Sequence, residues 1–150
     1  MTIIIKKIGL VGCGARKLAR AAPARELYTG TLFRLASAYA ERVCDEWYVL
    51  SALFGLVHPD KVLEPYDHAL TGVPITGRRI WGTGVFNHLE AMGLCGRDTH
   101  WVILAGRTYR EFLTPHLRGT MEIPLDGLRI GQQIARLKAL LEEVGCSPSS

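Results

Sequence analysis

Residues 10–30 read LVGCGARKLARAAPARELYTG, and the fold turns on how this stretch is read. A run of apolar residues ends abruptly in Gly12-Cys13-Gly14. Four basic residues follow (Arg16, Lys17, Arg20 and Arg25), with no carboxylate before Glu26. An apolar strand that runs into a glycine turn and then a helical pattern is the first half of a βα unit. The two familiar phosphate turns do not fit. A dinucleotide fingerprint needs glycine where Lys17 stands, and the GxxxxGK[ST] of a P-loop is absent. Gly12 and Gly14 still let backbone amides approach a ligand closely, and Arg16 and Lys17 can hold an anion there. The competing reading is a tight turn carrying solvated basic side chains.

Outward from this stretch the pattern repeats. Residues 3–11 form a mostly apolar, β-branched strand interrupted by Lys6 and Lys7. Residues 30–44 carry Leu32, Leu35, Ala36, Tyr39 and Val43 at helical spacing, with Thr29 as the expected N-cap. EWYVLSA (46–52) is a second buried strand. Residues 52–74, with Gly55, Pro59, Pro65, Gly72 and Pro74, read as a long irregular connection of the kind that often carries function. A glycine-weakened helix is expected over 76–92, a strand over 100–106 and a short helix over 108–117. A fourth strand over 119–125 and an amphipathic helix over 130–145 complete the series. In that last helix Ile130, Ile134, Leu137 and Leu141 make the apolar stripe and Gly145 the stop. The expected fold is α/β, three layers, with a mostly parallel four-stranded sheet and helices on both faces. Residues 1–150 read as a single domain whose last five residues (146–150) are a loose tail.

Composition sets wide bounds. With 48% apolar and 21% charged residues and a net charge of +4, the 150-residue chain is an ordinary globular one with a modest basic excess. The start is too short and too basic to span a membrane and lacks the order of a signal peptide, so a cytoplasmic protein without a membrane partner is expected. Cys13, Cys44, Cys95 and Cys146 are widely spaced with no CxxC pair, and no metal site or other cofactor is expected from them. Oligomeric state is not legible.

Ligands of open parallel sheets bind outside the carboxyl ends of the strands. That rule selects Gly12–Lys17, Ser51–Gly55, Gly106–Tyr109 and Leu125–Leu128, and the residues with chemistry cluster there. Cys13, flanked by glycines and basic residues, is either an activated thiol or a small residue packed at the strand end. Ser51 closes the second strand. Glu64 and Asp67 flank Pro65-Tyr66, and such paired acids beside an aromatic ring suit water activation or stabilisation of an oxocarbenium-like sugar. Their other reading is a rigid loop whose acids pair with Arg16, Arg25 or Arg79. Tyr66 can stack on a base. Tyr28 either faces the same cleft or packs on the helix start. Gly106, Arg107 and Tyr109 stand where a strand gives way to a helix and can contact a phosphate or base. Trp47, Trp81 and Trp101 read as core.

The patterns VGCGxRK, ELYTGxLF, LSAxxGLV, LEPYD, ILAGxxY and PLxGLxIGxQ, spread over residues 8–140, resemble a bacterial and phage family of unknown function. The family is distantly similar to YaaA-type peroxide-stress DNA-binding proteins and to the uracil-DNA-glycosylase-like module of archaeosine synthases. The resemblance implies a parallel-sheet fold and a link to nucleobases or nucleic acid. The Gly-Gln-Asp-Pro-Tyr-His run of glycosylases is absent, and Leu53-Phe54 stands where relatives tend to carry a polar pair. Two functions are therefore expected. The first is an N-glycosidase or glycosyl-transfer enzyme on a nucleotide or modified base, as in DNA modification. Glu64, Asp67, Ser51 and Cys13 would be its catalytic candidates. Gly12, Gly14, Arg16, Lys17, Arg25, Tyr28, Tyr66, Gly106 and Tyr109 would bind its substrate. The alternative is a non-catalytic protein that binds DNA, RNA or a nucleotide.

Overall fold

The computed structural model describes residues 4–145, so the expected tail at 146–150 lies outside the described residues. The chain runs β1 (Lys6–Gly12), β2 (Ala22–Pro23), α1 (Ala24–Leu27), α2 (Thr31–Val43), β3 (Glu46–Ser51), β4 (Gly55–Val57) and β5 (Val62–Leu63). A 3₁₀ turn (Leu70–Gly72) leads to α3 (Ile75–Ala91), β6 (Thr99–Leu104) and α4 (Arg107–Arg110). A second 3₁₀ turn (Thr114–His116) precedes β7 (Thr120–Glu122) and α5 (Ile130–Glu143).

The main sheet has five strands in the order β4-β3-β1-β6-β7, not four. β3, β1, β6 and β7 are parallel, and β4 pairs antiparallel with β3 as a hairpin (Ser51 opposite Gly55). That strand falls inside the stretch expected to be irregular. Its three residues are too few to show alternation, and Gly55 at φ 72° lets the chain reverse within a short loop. Residues 62–63 are also not irregular, since β5 pairs antiparallel with β2 and straps the long connection onto the basic loop.

Alternation along the central strands builds the three layers. Val11, Val49, Val102 and Leu104 face α2 and α5, where Phe33, Leu35, Ala36, Tyr39, Leu137 and Leu141 cover them. Ile8, Leu10, Leu50, Trp101 and Ile103 face α3, where Val85 and Leu89 cover them. Trp47 and Trp101 are buried and Trp81 is half-buried. The glycines expected to weaken α3 have a packing role at one point. A Cβ at Gly82 would stand 2.6 Å from the Phe112 carbonyl oxygen, so only glycine lets that backbone cross the helix.

Several boundaries move for physical reasons. The N-cap of α2 is Gly30, not Thr29, because the Thr29 N–H donates to Arg16 O (3.0 Å) in a bridge between Lys17 and Tyr28. The short helix over 108–117 divides into α4 and a 3₁₀ turn. The fourth strand shrinks to Thr120–Glu122, exposed at the sheet edge. Ile130 is 62% exposed and stands off the α5 stripe that Leu137 and Leu141 bury. No helix among the described residues is long and apolar enough to cross a membrane.

Candidate functional site at the carboxyl edge of the sheet

β1 delivers Gly12-Cys13-Gly14 to the carboxyl edge, and the Cys13 N–H donates to Leu50 O (3.0 Å), which fixes the turn against β3. Beside it opens a cavity of about 1010 Å³, walled by the glycine turn, the start of α2, the β6–α4 connection and the loop after β7. Gly12, Cys13, Gly14 and Arg16 line it, as do Gly106 and Tyr109. Three of the four edges selected from sequence therefore meet in one cavity. The fourth, Ser51–Gly55, lies outside it.

Positive charge outweighs negative in the cavity lining. Gly30 supplies no side-chain cap to α2, so the amides of the first turn have no acceptor within the helix, and Thr31, Leu32 and Phe33 line the cavity. Arg16, Arg107 and Arg110 stand around it, opposed among the described lining residues by one carboxylate, Asp126. Arg110 Nη2 pairs with Asp126 Oδ1 at 2.6 Å, and Arg107 is held only loosely by Glu111 at 3.8 Å. The floor is apolar, formed by Ala36, Leu104, Ala105 and Ile134. The Cys13 thiol donates to the Tyr109 hydroxyl at 3.6 Å. Burial, and the neighbouring Cys13, hold the Tyr109 phenol well above its ordinary range, so it stays a neutral hydrogen-bonding group.

A second cluster lies behind the glycine turn. The Tyr66 hydroxyl sits 2.7 Å from the Tyr28 hydroxyl and 2.8 Å from Ser51 Oγ, which also accepts the Phe54 N–H at 3.0 Å. Ser51 and Tyr28 are buried, with 0% and 1% exposure. Burial raises both tyrosine phenols, that of Tyr66 the more, so all three hydroxyls remain protonated at neutral pH. Lys17 Nζ donates to Ala15 O (3.2 Å) and stands 4.4 Å from the centre of the Tyr66 ring. Tyr28 packs its ring on Phe33 in the first turn of α2, with centroids 4.9 Å apart.

Glu64 and Asp67 flank this cluster on the strap after β5, and both are exposed. Neither makes a side-chain hydrogen bond or ion pair among the described residues, whereas Arg25 is held by Asp60 (2.8 Å) and Glu41 (3.2 Å). Arg110 and Thr31 line the cavity outside the segments selected from sequence, and Asp126 lies within the selected Leu125–Leu128 without having been named as a candidate. The Asp-Gly pair after the last strand was the available signal, since it marks a turn at the selected edge. No three His, Cys, Asp or Glu side chains converge as metal ligands among the described residues.

A family model described as a family of unknown function, DUF6884, matches residues 8–139. The chain is also 27% identical, over 155 aligned positions, to the uncharacterized protein YfjM of Bacillus subtilis (strain 168), with 93% of this chain and 97% of that protein covered. The matched span runs from the middle of β1 nearly to the end of α5, and so takes in all walls of the cavity. The chain belongs to the DUF6884 family of unknown function.

Proposed function

We propose that the cavity binds the phosphate of a nucleotide, free or within nucleic acid, and that the adjoining wall acts on its N-glycosidic bond. The observation that carries this reading is the convergence of the uncapped start of α2 with Arg16, Arg107 and Arg110 on one cavity with an apolar floor. Its volume of about 1010 Å³ is large enough for a nucleotide.

Cleavage of a base from its sugar leaves positive charge on the sugar and an electron pair on the departing nitrogen. A carboxylate favours the first, and a neutral hydrogen-bond donor favours the second. Glu64 and Asp67, exposed on the strap outside the cavity lining, are the ionisable candidates for the carboxylate, and the neutral Tyr109 hydroxyl is a donor in the cavity wall. The base departs with the bonding electron pair, hydrogen-bonded by Tyr109. Water adds to the sugar carbon and gives its proton to the carboxylate, and release of that proton through solvent to the base restores the carboxylate and leaves the neutral base.

A second reading, binding without chemistry, is favoured by Asp126: the carboxylate that lines the cavity is tied to Arg110 and is not free to act as a base. One series of measurements separates the two. A nucleoside monophosphate should bind more tightly than its nucleoside, and Arg16→Ala should weaken the monophosphate roughly tenfold while leaving the nucleoside unchanged. Equal binding of both ligands would remove the phosphate site. Glu64→Gln or Asp67→Asn should abolish base release and keep binding. Release at the parent rate in both variants would leave binding alone.

A further inference from the structure

We infer that the substrate is a single-stranded nucleic acid rather than a free nucleotide, with the tip of the β3–β4 hairpin as the stacking platform for a neighbouring base. The inference rests on the phosphate reading of the cavity and names the class of molecule that carries the phosphate.

The platform is Phe54, with Leu53 beside it. They are 49% and 48% exposed, an aromatic and an aliphatic side chain presented to solvent at the carboxyl edge of β3. Such a pair is unexpected on a tight hairpin tip, where polar residues usually stand. The tip is also rigid. The Phe54 N–H is held by the buried Ser51 Oγ at 3.0 Å, Gly55 sets the reversal at φ 72°, and the Trp81 indole N–H donates to Ser51 O at 2.9 Å. A preorganised aromatic ring loses little freedom when a base stacks on it.

The tip is linked to the cavity through two intervening side chains. The Phe54 ring packs edge-on against Tyr66 (5.4 Å between centroids), and Lys17 Nζ lies over the Tyr66 ring at 4.4 Å. Lys17 in turn donates to the carbonyl of Ala15, which lines the cavity next to Arg16. An exposed aromatic ring, then a lysine, then an anion-binding cavity is a track of alternating stacking and charge. This suits a strand whose successive bases and phosphates alternate in the same way. The exposed side chain of Arg20 extends the positive surface of that segment. A free nucleotide would fill the cavity and leave Phe54 in water. A duplex would keep its bases stacked on one another and give the ring nothing to cover.

The test compares three probes on the intact chain: a nucleoside monophosphate by calorimetry, and a labelled single strand of about 12 nucleotides and its duplex by fluorescence anisotropy. The single strand should bind most tightly, in DNA and RNA arms alike or in one of them. Phe54→Ala should lower single-strand affinity roughly tenfold to a hundredfold, leave the monophosphate unchanged, and be rescued by Phe54→Trp. Equal single-strand binding by the parent and Phe54→Ala would overturn the platform, as would a single strand no tighter than the monophosphate or the duplex. Failure of the monophosphate to bind the parent would remove the phosphate reading instead, and the Phe54 comparison on the single strand would still judge the platform.

Discussion

Tyr66 joins the two halves of the edge. Its hydroxyl is shared between Tyr28 and Ser51, and its ring carries Lys17 on its face and Phe54 at its side. Tyr66→Phe would leave two protein hydroxyls short of a partner in a buried setting, so it should cost about 1–3 kcal/mol of stability, read as a shift in the urea midpoint. A loss near zero would mean that water replaces the phenol. Ser51 appears in sequence as a strand-end residue with a nucleophile's side chain. In the fold it is fully buried and accepts from the hairpin backbone, so it fixes the tip on which Phe54 stands.

Among the elements, α3 tests whether packing outweighs propensity. Replacing glycine by alanine inside a helix gains up to about 1 kcal/mol where there is room, and at Gly84 no atom beyond its chain neighbours and its own helix backbone stands within 4 Å of the added methyl. At Gly82 the Phe112 carbonyl blocks it, and overpacking of this kind costs about 1–3 kcal/mol. Gly84→Ala should therefore raise the melting temperature and Gly82→Ala should lower it, and two shifts of the same sign would contradict the packing described. The same contrast explains what could be read in advance. β1, β3 and β6 are runs of apolar residues long enough to declare themselves, and α2, α3 and α5 carry their own periodicity or length. β2 and β5 hold two residues each and exist only because Ala22 meets Leu63 and Pro23 meets Val62, a pairing written in no local stretch. That the glycine turn and Tyr109 share one edge was legible because both fall at strand ends, and they line the same cavity. The Arg110–Asp126 pair was not, since it joins a short helix to a loop beyond the next strand.

For the whole molecule, burial of tyrosine sets the response to alkali. All five tyrosines (28, 39, 48, 66 and 109) have phenols raised above their ordinary 10.0, with burial the leading cause in each. Burial also pushes the Cys44 thiol up to about 11 from 9.0. The unfolded chain loses these protons first as pH rises, so it binds fewer protons than the folded one and stability falls with pH. The contribution is complete below the unfolded values and disappears as pH climbs through the folded ones. Unfolding free energy should hold steady to about pH 9 and then decline, with a shallower decline in Tyr66→Phe. A flat profile up to about pH 11 would mean that the phenols ionise without unfolding. One last consequence follows from the place of β1 at the centre of the sheet. Its first neighbour, β3, follows closely in the chain, but its second pairs Lys6 with Thr99. During synthesis the basic turn and α2 leave the ribosome against a half-built sheet whose β1 edge is bare. The far wall of the cavity arrives only with Gly106 and the loop at Asp126. The nascent chain thus carries its glycine turn before it has a pocket, and the cavity is closed by the segment from Gly106 to Leu128.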